Sequence, residues 1–198
     1  SDVAEAVFKV TIGPEKKSRV ISAEEKKLTA YHESGHAIVL REVSTTDRVE
    51  RVSIIPAGGA GGYTAFKPSE DIYFKTRAQL VAEIKMALGG RAAEDLVFGE
   101  ISTGAGADLK EVNRIARAMV TKYGMSSRLG NVVTAEEEEV FIGRDYGHVM
   151  NHSEALQAAI DEEIARILDE AYSETKEVLT ENRRLLDELA TRLLEKEK

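Results

Sequence analysis

Two histidines lie four residues apart in the run His32-Glu33-Ser34-Gly35-His36. In a helix, residues with this spacing share one face, so the two imidazoles can bind a single zinc ion. Glu33 would then lie beside the metal without coordinating it, where it can take a proton from a water molecule. This HExxH pattern therefore predicts a zinc-dependent hydrolytic site, and an ordinary pair of surface histidines is the alternative.

A catalytic zinc site needs a third protein ligand and keeps one position open. The chain has no cysteine, so histidine or a carboxylate must supply that ligand. The extended HExxHxxGxxH pattern would require glycine and histidine at positions 39 and 42, where this chain has Val39 and Glu42. Glu94 and Asp108 are the two downstream carboxylates that we consider, and the residues alone leave the choice between them open.

His148 and His152 have the same spacing as the motif histidines. All four histidines together would form a closed structural zinc site, in which the motif glutamate would have no task. We expect His148 and His152 instead to be ordinary residues before a helix, with Asn151 or Ser153 as its N-cap.

The elements that must position the motif begin with a helix at about residues 24–43. Ser22 and Glu25 have the spacing of a capping box at its start. A β-branched segment over residues 49–55 predicts a strand, and residues 63–66 predict its short partner after a glycine-rich turn. Because this second strand follows close to the zinc helix, we hypothesise that an extended polypeptide adds to its edge. A plain structural hairpin is the alternative.

The rest of the chain is predicted to be helical. One helix begins near Lys75 and is broken at Gly89 and Gly90, after which a short helix continues to Leu96. Further helices are predicted over about residues 108–123, 153–179 and 181–198. Apolar stripes on the last two predict contacts in the core or between subunits.

The composition excludes several functional classes. With 27 Lys and Arg against 35 Asp and Glu, the net charge is −8, which argues against nucleic-acid binding. The chain has neither an apolar stretch of membrane-spanning length nor the basic start of a secretory signal. It also lacks a GxxxxGK[ST] phosphate loop. We therefore expect a soluble chain that does not itself bind ATP. Because the sequence starts and stops abruptly with charged residues at both ends, we also expect it to be a fragment of a longer protein.

Several motifs follow one another in the order of one protease family: YHESGHAIV, IIPAGGAGGYTAF, ALGGRAAED and FGEISTGAGADLKEVNRIARAMVTKYGMS. From about Gly13 to its end, the chain closely resembles the protease domain of FtsH, the membrane-anchored AAA+ zinc metalloprotease family. The resemblance implies a mainly α-helical (α+β) fold, with a zincin-type helix carrying HExxH, a small β-sheet beside it and a C-terminal helical bundle. It implies a linker over residues 1–20 and a metalloprotease domain over 21–198, divided into a catalytic part (21–150) and C-terminal helices (151–198).

The resemblance also implies roles for individual residues. One zinc ion per chain would be held by His32, His36 and Asp108, and Glu33 would be the general base. Glu94 would then not bind the metal but orient a ligand histidine.

The implied function is that of an ATP-dependent zinc metalloendopeptidase acting on unfolded or membrane proteins. The resemblance implies a homohexamer whose AAA+ ATPase module and membrane anchor lie outside this chain, at the inner membrane with this domain on the cytoplasmic side. Two other classes stay open. One is a soluble single-chain peptidase with Glu94 as zinc ligand, and the other is a non-enzymatic, zinc-stabilised helical assembly module.

Overall fold

The structure of the chain is a computed structural model, and it describes residues 10, 21–57, 60–68, 73–134 and 153–198. The predicted linker over residues 1–20 therefore lies, except for Val10, outside the described residues. His148 and His152 lie outside them too, so the four-histidine alternative stays a prediction.

Helix α1 (Ala23–Val43) carries the HExxH motif, as predicted. Its N-cap is Ser22, whose side-chain oxygen accepts a hydrogen bond from the Glu25 amide at 3.1 Å, one of the two bonds of the expected capping box. Most residues of this helix between Ala30 and Leu40 are buried, including His32 and Glu33. Such a helix is held mainly by the elements packed around it, which fixes the direction of the motif side chains.

Two antiparallel strands follow, β1 (Asp47–Ser53) and β2 (Tyr63–Pro68), close to their predicted positions. Ser53 pairs with Tyr63, and the register is irregular between Val49 and Arg51. Just beyond β1, the Ile54 amide donates a hydrogen bond to the Glu197 carbonyl oxygen at 3.0 Å, which ties this end of the sheet to the end of the last helix.

Helix α2 (Arg77–Phe98) is continuous, so the predicted break at Gly89 and Gly90 is wrong. The reason is a close approach to α1: a Cβ atom on Gly35 would collide with the Gly89 carbonyl oxygen, and one on Gly89 would lie 2.8 Å from the Gly35 carbonyl oxygen. A glycine costs a helix about 1 kcal/mol relative to alanine, and here the packing of the two backbones offsets that cost. The helix ends at Gly99, which has a φ of 68°.

The remaining helices are α3 (Gly106–Thr121), α4 (Glu154–Glu181) and α5 (Arg183–Lys196), each within a few residues of its prediction. A single 3-10 turn, Thr103–Ala105, leads directly into α3. No helix in the described part of the chain is long and apolar enough to cross a lipid bilayer.

The core is formed mainly by helices. Helices α2, α3 and α4 share one apolar cluster, whose largest members are Leu80, Ile84, Leu88, Val112, Ile115, Met119, Ile160, Ile164 and Ile167. A second cluster joins α1 and α2 to the C-terminal helices through Ile38, Val39, Leu179 and Leu186. The predicted mainly α-helical (α+β) fold is confirmed, and the apolar stripes of α4 and α5 contribute to this core.

Candidate active site

Asp108, in the first turn of α3, lies next to the two motif histidines of α1. The Nε2 atoms of His32 and His36 are 3.0 Å apart. Oδ2 of Asp108 lies 3.4 Å from Nε2 of His32 and 3.7 Å from Nε2 of His36. Among the described residues, these three form the group of histidines and carboxylates that is close enough to hold a metal ion.

The three atoms have the separation that a zinc ion requires. Zinc binds imidazole nitrogen at about 2.0–2.1 Å and carboxylate oxygen at about 2.0–2.2 Å, so tetrahedral ligand atoms lie about 3.3–3.6 Å from one another. The observed separations of 3.0, 3.4 and 3.7 Å bracket this range. Two imidazoles and one carboxylate are also donors that zinc accepts. The site therefore fits zinc with shifts of only a few tenths of an ångström.

Glu94 of α2 lies on the opposite side of the His32 ring and is fully buried. One of its carboxylate oxygens is 2.7 Å from Nδ1 of His32. The Ser102 amide and hydroxyl donate to the same carboxylate, at 2.6 and 3.1 Å. Glu94 thus orients the imidazole from its Nδ1 side, an arrangement common for the histidine ligands of metals.

His36 is oriented by the backbone of α2. Its Nδ1 atom lies 2.8 Å from the Met86 carbonyl oxygen, which leaves Nε2 on the side of His32 and Asp108. Gly90 makes room for the other ring, because a Cβ atom there would lie 2.5 Å from Nε2 of His32. Sequence reasoning missed both contacts. The only signal was the glycine pair, which bears on the contact at His32 alone and was interpreted as a helix break.

The charges at the site favour a cation between the carboxylates. Burial alone would lower the pKa of His32, but hydrogen bonds with Asp108 and Glu94 outweigh it and raise that pKa to about 10. Burial likewise opposes ionisation of Asp108, yet hydrogen bonds with His32 and His36 hold its pKa well below the usual value. Since a metal ion must displace the proton from a ligand histidine, a metal bound by these residues would release protons on binding.

Glu33 is buried beside this cluster without belonging to it. The Thr64 hydroxyl of β2 is 2.7 Å from Oε2 of Glu33 and 3.1 Å from the Glu33 carbonyl oxygen. Sequence reasoning placed Thr64 on a strand near the zinc helix but did not foresee this contact.

These residues line an open cleft of about 1080 Å³. Residues of β2, α2 and α3 form its walls, and the apolar part of the lining includes Leu28, Tyr63, Phe66, Met86 and Ile115. This volume slightly exceeds the usual range for ligand sites, about 300–1000 Å³, and both motif histidines belong to the lining.

Comparisons with known proteins place the chain in a family. The sequence model of Peptidase family M41 matches residues 19–198. The chain is 58% identical to the ATP-dependent zinc metalloprotease FtsH of Ruminiclostridium cellulolyticum, over 100% of this chain and 32% of that protein. Proteins of the same name from Veillonella parvula and Bacillus subtilis are 50% and 45% identical, over 100% and 99% of this chain and 31% of each relative. The chain thus spans about a third of the length of these relatives.

Proposed function

This chain belongs to peptidase family M41, and on that premise we propose that it is the proteolytic part of an ATP-dependent zinc metalloendopeptidase. Family membership makes the chain a zinc metallopeptidase, a hydrolase. We propose further that its substrates are unfolded or membrane proteins. The observation that carries the proposal is a buried glutamate beside a cluster of two histidines and an aspartate, all lining one open cleft.

We propose that His32 and His36, through Nε2, and Asp108, through Oδ2, hold one zinc ion per chain. The separations of these atoms support the assignment. When bound, zinc supplies a Lewis acid that polarises the scissile carbonyl and lowers the pKa of water toward neutrality. Glu94 accepts the Nδ1 proton of His32 and so keeps Nε2 available to the metal.

We propose that Glu33 is the general base. It takes a proton from the attacking water and later passes it to the nitrogen of the departing amine. Its position next to His32 in the chain, and outside the group of proposed ligands, supports this role.

Two observations argue against the other classes that the sequence left open. A peptidase with Glu94 as zinc ligand is disfavoured, because the Glu94 carboxylate is already engaged by His32 Nδ1 and Ser102. A purely structural zinc site would be closed, whereas this cluster lines a large cleft.

We propose that the polypeptide substrate binds in extended form along β2. Tyr63, Thr64 and Phe66 of this strand line the cleft together with the motif, which supports the hypothesis over a plain hairpin. Pairing between backbones makes little use of side chains, so it suits an enzyme with many substrates. N-methylation of the substrate amides on either side of the scissile bond should raise KM; an unchanged KM would contradict this binding mode.

The relatives are named as ATP-dependent enzymes and are considerably longer than this chain. We propose that the chain works in a homohexamer, and that an AAA+ module and a membrane anchor lie elsewhere in the longer protein. In this arrangement ATP binds outside the chain, and the domain acts on the cytoplasmic side of the inner membrane.

The test is cleavage of an unfolded protein by the natural chain and by Glu33→Gln, alone and fused to a hexamer-forming ring, with zinc measured on every sample. We expect all samples to hold zinc and only those with Glu33 to cleave. Equal cleavage by Glu33→Gln would overturn its role as the base, and a hexameric, zinc-loaded natural chain that does not cleave would overturn the proposed activity.

Asp108→Ala tests the ligand set in the same assay. We expect this variant to lose both zinc and cleavage, because only two protein ligands remain. If Asp108→Ala still holds zinc and cleaves, and the added change Glu94→Ala then removes the zinc, Glu94 and not Asp108 is the third ligand.

A further inference from the structure

The carboxylate of Glu33 is held by a residue from outside its own helix. The Thr64 hydroxyl of β2 lies 2.7 Å from Oε2 of Glu33, closer than the 3.1 Å to the carbonyl oxygen of the same residue. A hydroxyl has only one proton to donate, so it can form one of these two hydrogen bonds at a time. The bond to the carboxylate is the stronger of the two, because it is shorter and its acceptor is a carboxylate.

The stem of the same side chain is confined by the start of β2. A Cβ atom on Gly62 would lie 3.1 Å from Cγ of Glu33 and 2.6 Å from the Ser53 carbonyl oxygen. The backbone at Gly62 therefore passes close beside the methylene groups of Glu33. Together, Gly62 and Thr64 leave the buried Glu33 side chain little freedom to change rotamer.

We propose that Thr64 is a positioning residue for the reaction. By donating to Oε2, it fixes the Glu33 carboxylate so that the other oxygen, Oε1, is presented for proton transfer. This inference rests on the proposed function, in which Glu33 is the general base. It adds that β2, the strand along which we place the substrate, also sets the position of the base.

Loss of this hydrogen bond would leave the Glu33 carboxylate free to rotate away from the attacking water. Small misplacements of a catalytic group lower the rate by up to about a hundredfold. Because the contact joins two confined groups, its loss should act on the reaction through the orientation of the carboxylate.

The experiment compares Thr64→Val, which has the same shape without the hydroxyl, with Thr64→Ser, which keeps the hydroxyl. Both are assayed as zinc-loaded hexamer-forming protein on a short fluorogenic peptide, with zinc content measured. Thr64→Val should lower kcat about tenfold or more with KM within about twofold, as expected for loss of a hydrogen bond to a charged group. Thr64→Ser should restore most of kcat. Thr191→Val, a matched change at an exposed position of α5, is the control.

A double-mutant cycle separates positioning from a structural effect. If Thr64 acts through the Glu33 carboxylate, Thr64→Val should have no further effect on the residual rate of Glu33→Gln. Three results would each overturn the proposal. Thr64→Val could lower the rate by the same factor with Glu33 and with Gln at position 33, it could leave kcat unchanged, or Thr64→Ser could be as defective as Thr64→Val. Failure of the proposed function is distinguishable, since Glu33→Gln would then cleave like the natural protein.

Discussion

At the scale of single residues, Gly90 is the position where an added methyl group would collide with the proposed metal site. A Cβ atom there would lie 2.5 Å from Nε2 of His32, which we propose as a zinc ligand. We expect Gly90→Ala to displace the ring, to weaken zinc binding at least tenfold and to abolish cleavage, while helix content is kept. Competition with a chelator measures the affinity, and circular dichroism measures the helix content.

The matched control for this change is Gly106→Ala. A Cβ atom at Gly106 would meet nothing within 4 Å, and its φ of −62° suits any residue. This variant should bind zinc like the natural chain. If Gly90→Ala and Gly106→Ala bind zinc equally well, the zinc site does not depend on the space that Gly90 leaves beside His32.

Ser34, within the motif, has a buried hydroxyl without a hydrogen-bond partner. A buried polar group in this state costs about 1–3 kcal/mol, so its removal should be favourable. We expect Ser34→Ala to raise the free energy of unfolding by about 1 kcal/mol in urea titrations. A clear loss of stability would show that the hydroxyl is satisfied in solution, for example by a bound water.

Which side chains of α1 lie together was predictable at this scale, because residue types and helical spacing determine which of them can meet. The HExxH spacing placed His32 and His36 on one face, and the structure brings them together. The choice between Glu94 and Asp108 was not available from spacing, since it depends on how two helices approach α1. The contacts of His36 with the Met86 carbonyl and of Glu94 with the Ser102 amide were not predictable either. Backbone groups carry no residue-type signal.

At the scale of elements, the error at Gly89 and Gly90 shows the limit of local reasoning. Glycine lowers helix propensity, so the pair was interpreted as a break, but α2 is continuous through it. The outcome depends on Gly35, which is more than fifty positions away in the chain and touches Gly89 across the helix crossing. Ser22 and Gly99, by contrast, act within their own helices, and such end signals can be recognised locally.

The fully buried carboxylate of Glu163, in α4, binds the loop that follows α3. Arg166 donates to both of its oxygens at 2.8 Å, and the Ser126 hydroxyl donates at 3.0 Å. The hydrogen bonds from Arg166 lower the pKa of Glu163 more than burial raises it. The stability that this group provides is therefore present above its unfolded pKa and is lost as the pH falls through the lower folded pKa.

We expect Glu163→Gln to lower the free energy of unfolding by about 1–3 kcal/mol at pH 7, because the buried arrangement loses its charge. We also expect stability to depend less on pH below about pH 5 than in the natural chain. The neighbouring Glu162→Gln is the control, since Glu162 forms an exposed pair with Arg128 and should change stability by under about 1 kcal/mol. Urea titrations from pH 7 to pH 3 distinguish the two, and equal effects would contradict a special role for Glu163.

At the scale of the whole molecule, the proposed zinc ligands come from two helices that each pack against α2. His32 and His36 belong to α1 and Asp108 to α3, and both helices make their main contacts through α2. A metal ion bound by all three residues would join α1 and α3 directly. It would also neutralise part of the negative charge that Glu94 and Asp108 concentrate beside His32.

Removal of zinc should therefore loosen the junction of α1 and α3 more than the rest of the chain. At free zinc a thousandfold above Kd, binding contributes about 4 kcal/mol. At about 2–4 °C per kcal/mol for a chain of this size, a chelator should lower Tm by roughly 10 °C. Amide exchange should rise first near Asp108 and His36, whereas the apolar cluster of α2, α3 and α4 should stay protected because its contacts do not involve the metal. Asp108→Ala should show no such response to the chelator. A natural chain that loses its zinc without a change in Tm or in exchange near Asp108 would mean that packing against α2 alone holds the three ligands in place.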